Sequence, residues 1–463
     1  MSDVMQETDV ATRVLDLVRS SAGSAVDAEV VVEQRELSLT RFANSYIHQN
    51  VADATTSVRL RVHADGRTAG TSTTVLDRLD DLVTRTLAAM RLAPADPTWP
   101  GLTPPTPVGF SGNADPETAS AVPAERAARV RAFIEAAQGL SAAGYCSTAS
   151  TRLAYANSTG HHAFGATTHA AMDGIARNGL CDGLARLASV RLADVDGGVL
   201  GARAAAKARA GADPVELPPG RYEVVLEATA VADVLQMLAV YGFNGKAVLE
   251  RRSFVELGVA QFDPAITLID DAAEPDTIVL PFDAEGTPRQ RLTLVDEGVS
   301  TAVAHDRRTA ARAGVESTGH AVVGGAVWGA VPASTRLVPN KSDGAGLSEV
   351  DGPAADSSVL ALVTGVERGL LVTDNHYTRV LDPRTLVVTG LTRNGVWLIE
   401  DGKITTPVQN FRFTQSYPQA LAPGAVLGVG THAVVLPGMW TEASFVAPTL
   451  RLASWNYTGG ASG

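Results

Sequence analysis

The histidines of this chain are His48, His63, His161, His162, His169, His305, His320, His376 and His432, residues suited to metal ligation or proton transfer. A zincin helix needs His-Glu-x-x-His, which places two imidazoles and a carboxylate on one face, and no histidine here precedes a glutamate. His161 and His162 with His169 could cluster, but no Cys or acid at usable spacing supplies a fourth ligand, so turn and strand duty is predicted. No Gly-x-Ser-x-Gly elbow presents a serine. Cys146 and Cys181 read as buried thiols. Asp283-Ala-Glu285-Gly286 and Asp296-Glu297-Gly298 offer paired acids, yet both fall where strands should turn, and turn chemistry accounts for them. Gly324-Gly325 and Gly344-Ala-Gly346 lack the Lys-Ser/Thr of a phosphate cradle. Asp374-Asn375-His376-Tyr377 is the densest polar-aromatic cluster, a strand end that could line a binding groove.

Stretches of strand and helix must position these groups. Arg221 to Phe254 predicts a strand running into a helix: Tyr222 to Leu226 is apolar and β-branched, and Val231, Val234, Leu235 and Leu238 recur at helical spacing. Thr229 is expected to cap this helix, Asp233 to complement its positive end, and Gly242 to stop it. Ahead of it, residues 1–93 read as helix, antiparallel strands at Val30–Glu33, Leu37–Leu39 and Val58–Val62, an Asp65-Gly66 turn, and a second helix at Leu76–Met90. Residues 94–122 read as a linker, with six prolines between Pro94 and Pro107. A middle α+β block, 123–212, opens on a helix at Pro123 and has turn signals at Asn157–Gly160 and Asp173-Gly174. It ends in an Ala-rich helix with Arg203, Lys207 and Arg209 read as exposed. Ala43-Asn44-Ser45-x-x-His48 returns in part as Ala156-Asn157-Ser158-x-x-His161, through shared turn chemistry or a duplicated unit. Residues 221–463 are strand-rich, with strands predicted at Ile266–Ile269, Thr277–Phe282 and onward, and with hairpin turns at Asn394-Gly395 and Asp401-Gly402. The fold class is therefore α+β, a helix-plus-antiparallel-sheet N-terminal part followed by a strand-rich C-terminal α+β domain.

Composition narrows the function. The 38 Lys+Arg against 50 Asp+Glu give a net charge of −12, which argues against a nucleic-acid surface. Two cysteines make no disulfide framework, the N-terminus has no secretory apolar core, and no apolar run reaches membrane-spanning length. A cytoplasmic protein with no membrane association is expected. From residues alone no active site emerges.

Several stretches together resemble the TldD/PmbA family, metallopeptidase-related proteins also called modulators of DNA gyrase. They are Phe42-Ala-Asn-Ser-x-x-His48-Gln49, the Gly66–Thr74 run, Phe282-Asp-Ala-Glu-Gly-Thr-Pro-Arg-Gln290, Leu294-Val-Asp-Glu-Gly298, Ser317-Thr-Gly319, Gly369-Leu-Leu-Val-Thr373, Thr389-Gly-Leu-Thr-Arg-Asn-Gly395, Leu398-Ile-Glu-Asp-Gly402 and Pro448-Thr-Leu450. Each is weak alone; their family order across nearly the whole chain is specific. The resemblance implies a helix carrying His-Glu-x-x-x-His, completed by a late Cys, in the catalytic branch. Those positions fall here near Met237, Leu238 and Gly242, and near Val434. No His lies between His169 and His305 and no Cys follows Cys181, so a local gap cannot restore the ligands. The resemblance thus points to the metal-free PmbA (TldE) branch, with no cofactor in this chain and zinc only in a TldD-type partner subunit. It implies a heterodimeric peptidase acting on unfolded or extended peptides, with Tyr241, Asn244, His376 and Tyr377 as candidate peptide-cleft residues and a homodimeric peptide-binding scaffold as the alternative.

Overall fold

The computed structural model describes residues 6–341, 352–438 and 443–460. Gly344 and Gly346 lie outside these. The first half opens with α1 (Glu7–Ala22), β1 (Asp27–Ala43), β2 (Tyr46–Ala64), β3 (Arg67–Thr73) and α2 (Leu79–Leu92). After a short turn of helix, α3 (Pro116–Ala119), come α4 (Pro123–Ala136), β4 (Ser141–Asn157), β5 (His162–Asn178), β6 (Cys181–Ser189) and α5 (Gly197–Ala210). The helix, three antiparallel strands and helix of the first block thus recur in the second. All six strands join one sheet in the order β3-β2-β1-β4-β5-β6, with β1 and β4 antiparallel at its centre. The two Asn-Ser sequences both sit at hairpin turns, after β1 and after β4, which is what a duplicated unit predicts.

Alternation along β1 divides the sheet between two partners. Val30 and Val32 face α1 and α2 with Leu60 and Val62; Val31 faces the opposite way, with Leu153, Tyr155 and Phe282 of the second half. At the far end Phe42, Cys146 and Met172 pack with Phe133 of α4 and Ala204 of α5. The two short strands expected at Val30–Glu33 and Leu37–Leu39 are one continuous strand, because a hairpin partner holds the polar residues between them in register: Gln34 pairs with Thr56 and Glu36 with Ala54. Asp173-Gly174 is interior to β5, not a turn, because β4 and β6 pair it from both sides.

The second half comprises β7 (Gly220–Leu226), α6 (Ala228–Met237), α7 (Gly245–Leu249), β8 (Leu268–Asp270), β9 (Leu292–Asp296), β10 (Val299–Ser300), α8 (Arg307–Ala313), α9 (Gly325–Trp328) and β11 (Ser334–Leu337). It continues with α10 (Ser357–Val363), β12 (Arg368–Asp382), β13 (Val387–Glu400), β14 (Lys403–Pro407), β15 (Phe411–Ser416), α11 (Tyr417–Ala420), β16 (Val426–Pro437) and β17 (Ser444–Gly460). Strands β7, β12, β13, β15 and β17 pair in a ring, β17 returning to β7, so the sheet closes on itself and most of its edges disappear. The β7–β12 pairing is parallel because α6 carries the chain out of the sheet after β7. Thr277–Phe282 is not a strand; its Thr277 hydroxyl instead donates to the Asp271 carbonyl, 3.0 Å away. Asn394-Gly395 is a distortion inside β13 with φ of 60° and 128°, whereas Asp401-Gly402 is the predicted turn.

Segment 94–122 runs between the halves. Thr103 donates its hydroxyl to the Glu285 carbonyl at 2.7 Å, and the Asn113 amide donates to the carbonyls of Glu274 and Thr277 at 2.8 and 2.9 Å. A second tie is ionic. Lys207 of α5, expected on the surface, is 2% exposed because its ammonium pairs with Glu227 at the end of β7. Glu227 also accepts from the Ala355 amide at 2.9 Å. A cation on an Ala-rich helix reads as exposed until the opposing carboxylate, twenty residues on, is known to be buried beside it. Lys207→Met leaves Glu227 buried and unpaired and is expected to cost about 3–5 kcal/mol. Lys207→Met with Glu227→Gln is expected to recover part of it, measured by urea unfolding.

Candidate functional site

Helix α6 is buried on every side: Ala230 through Met237 are all below 9% exposure. A helix with no polar face belongs inside a core, and this one packs against β12, β16 and β17. It starts two residues earlier than predicted, with Glu227 rather than Thr229 at the N-cap and no side-chain cap. The reason is that the Glu227 carboxylate is held by Lys207 and that its amide donates to the Val372 carbonyl at 3.0 Å, which fixes the entry point. Asp233 is not at the positive end but at the sixth helical position. Its carboxylate accepts from the Thr378 hydroxyl at 2.6 Å and from the Tyr417 hydroxyl at 2.7 Å. Burial pushes its pKa up to about 7, against these two bonds and with a further push from Asp374. The helix then widens into a π turn, Leu238–Gly242, before Asn244 caps α7.

The candidate cleft residues divide. Asn244 is 2% exposed and fully committed to backbone: its oxygen accepts from the amides of Lys246 and Ala247, and its nitrogen donates to the carbonyls of Val240 and Trp328. Tyr241 is half-buried against the barrel core. His376 is half-buried, and burial then Arg393, Arg186 and Arg379 lower its pKa. Tyr377 is exposed at a β12 irregularity with φ 54°, its ring under the Arg379 guanidinium at 4.3 Å. Asp374 beside them is buried, accepts from the Asn394 amide at 3.0 Å, and has its pKa pushed up to about 6 by burial.

The other candidates are structural. The His161 ring contacts the Gly286 carbonyl at 2.7 Å, His162 is exposed, and burial lowers His169 to about 4. Burial pushes the Cys146 thiol up to about 12, and Cys181 donates to the Gly211 carbonyl. Asp283 does form a turn, accepting from the amides of Glu285 and Thr287. Glu285, however, faces a cleft that the sequence did not signal, where Arg61 of β2 bridges it at 3.2 Å and Glu29 of β1 at 2.6 Å. Burial raises Glu285, with the Arg61 charge opposing. These groups come from positions 29, 61 and 285, a separation no local motif spans.

Residues 219–459 match the family described as PmbA/TldA metallopeptidase C-terminal domain, and residues 28–92 match PmbA/TldA metallopeptidase domain 1. The chain belongs to the PmbA/TldD metallopeptidase family. No curated protein matches it in sequence. Its fold is shared by TldE from Thermococcus kodakarensis, at 17% identity and TM-score 0.83 over 96% of this chain and 99% of that one. It is also shared by two candidate modulators of DNA gyrase. That from Thermotoga maritima aligns at 18% identity and TM-score 0.81, over 97% and 99% of the chains. That from Bacteroides thetaiotaomicron aligns at 17% and 0.79, over 97% and 98%.

The resemblance lays a zinc motif onto Met237, Leu238, Gly242 and Val434, and the surroundings of these four residues bear on whether a metal fits there. Met237 and Leu238 are fully buried in the barrel core. A side chain at Gly242 would place its Cβ 2.6 Å from the Phe254 ring, so an imidazole enters only if that ring is displaced. Val434 packs against the same core and pairs with Ala447 in the sheet. The thioether of Met237 is the sole potential donor among these four side chains, and a zinc site needs imidazole, thiolate or carboxylate. These residues do not fit a zinc ion.

Two measurements follow. Gly242→His is expected to destabilise the fold by about 1–3 kcal/mol through overpacking on Phe254, read by thermal or urea unfolding. For Asp233, the folded chain keeps its proton up to about pH 7, while the unfolded chain releases it near pH 4. The folded state binds more protons across that window, so stability falls as pH rises through it. Asp233→Asn is therefore expected to gain relative to the native chain between pH 4.5 and pH 8, measured by urea unfolding at each pH.

Proposed function

We propose that this chain is the non-catalytic, TldE-like subunit of a heterodimeric zinc peptidase that acts on unfolded or extended peptides in the cytoplasm. The observation that carries this reading is the closed Gly242 position, where the Phe254 ring occupies the volume a ligand would need. Membership of the PmbA/TldD family supplies the peptidase context, and a TldD-type subunit would bring the zinc and the general base that polarises its water. This chain would complete and shape the peptide path, with backbone recognition by strand addition as the physical mode. Among the described residues no helix is long and apolar enough to cross a membrane. A homodimeric peptide-binding scaffold is the second reading, and an open sheet edge would serve it equally.

Reconstitution separates the two. The purified chain alone is expected to bind substoichiometric zinc and to leave unfolded peptide intact. Mixed with a TldD-type subunit, it is expected to give chelator-sensitive cleavage. Stoichiometric zinc and cleavage by the chain alone would overturn the proposal; a stable homodimer that ignores the second subunit would favour the scaffold.

A further inference from the structure

A cleft of about 550 Å³ lies between the first sheet and the second half. Its floor is the face of the sheet formed by β1, β2 and β3, reaching the end strand at Gly70 to Ser72. In the β2–β3 register Arg61 is opposite Gly70 and Arg59 opposite Ser72, so these four residues share the face that lines the cleft. The facing wall is the loop around Val322 to Ala326, with Gly324 in the left-handed region at φ 80°. Val323 on that wall is 66% exposed.

The edge itself is the first reason to expect a ligand. β3 is the end strand of its sheet. Its first residue already takes an added partner, since Ala95 bridges Arg67 in antiparallel sense and the Asp96 amide donates to the Gly66 carbonyl at 2.7 Å. Beyond that bridge, among the described residues, no strand pairs with the outer side of Gly70 to Thr73. Natural edges are usually protected by Lys, Pro or an inward charge. This one presents Gly-Thr-Ser-Thr, small side chains, with Gly70 and Ser72 exposed.

The second reason is charge. Arg61 is matched by Glu29 and Glu285, and Arg308 by both oxygens of Asp96. Arg59 has no such match: it makes no hydrogen bond or ion pair among the described residues, and Glu33 and Glu29 act on it only at a distance. Partial desolvation disfavours the charge of this half-buried guanidinium, and its planar donors fit a carboxylate in two-point fashion.

We infer that the β3 edge takes an extended peptide segment as an added strand, with a carboxylate of that peptide seated on Arg59. The inference rests on the peptide-accepting reading above and gives it a location, away from His376 and Tyr377. The main chain is read by β3, so side-chain selectivity is low, and the carboxylate sets the register.

The test is fluorescence anisotropy with labelled Ser/Val-alternating decapeptides: one with a free C-terminus, one C-terminally amidated, and one amidated with a central Glu. The two carboxylate-bearing probes separate a terminal from a side-chain source, and the tighter of them names it. Arg59→Gln is expected to weaken that probe about tenfold, the size of one charge-assisted hydrogen bond, and to leave the carboxylate-free probe unchanged. Gly70→Phe is expected to abolish binding of all three. A Cβ there meets nothing closer than 3.5 Å, so the variant should fold, as an unchanged melting curve would confirm. N-methylation of alternate peptide amides is expected to weaken binding in the native chain. Binding that survives Gly70→Phe places the site elsewhere and overturns the inference while sparing the peptide reading. Equal losses for all probes in Arg59→Gln overturn the carboxylate contact. No binding of any probe, alone or with a TldD-type subunit, overturns the inference and the peptide reading together.

Discussion

A helix without a polar face has to be surrounded, and the second half of this protein is arranged to do that. Ala230 to Met237 expose almost nothing, so strands β12, β16 and β17 are drawn around α6 and the ring from β7 to β17 closes beside it. Burial of apolar area stabilises this packing at roughly 25 cal/mol per Å². The one acid on the helix, Asp233, is spent on Thr378 and Tyr417, and the π turn that follows lies against Phe254.

Charged groups gather at the junction between the halves. Lys207 with Glu227, and Arg61 with Glu29 and Glu285, tie the first half to the second, while Arg186 pairs with Asp173 on the neighbouring strand beside Asp374. Buried pairs of this kind add little net stability over apolar contacts, because desolvation offsets attraction, but breaking one is costly. They hold the sheet of the first half and the closed barrel in one orientation. That orientation creates the cleft along β3: its floor comes from one half and its wall from the other.

Local patterns were readable where local forces decide. The 3.6-residue periodicity located α1, α2, α4 and α6, and Asp65-Gly66 gave a tight turn with both φ positive, 50° and 68°. Patterns failed where a distant partner decides. Asp173-Gly174 is a turn sequence held inside a long strand by neighbours on both sides, and Asn394-Gly395 is one absorbed as an irregularity inside β13, between the pairs that Arg393 and Val396 make with β12. Lys207 sits on a helix whose composition suggests exposure, and only Glu227 accounts for its burial. Asn244 was a candidate cleft residue, yet two amides and two carbonyls consume it.

By itself the sequence determined the α+β class and the family, since these depend on residue identity and order along the chain. Tertiary structure decided that Gly242 is walled off by Phe254, that the two N-terminal blocks share a single sheet, and that Arg59, Gly70 and the loop at Gly324 bound one cleft. The division follows from range. Periodicity and turn chemistry act over a few residues, whereas the packing and charge matching that shape a site act between segments hundreds of residues apart, which no local pattern encodes.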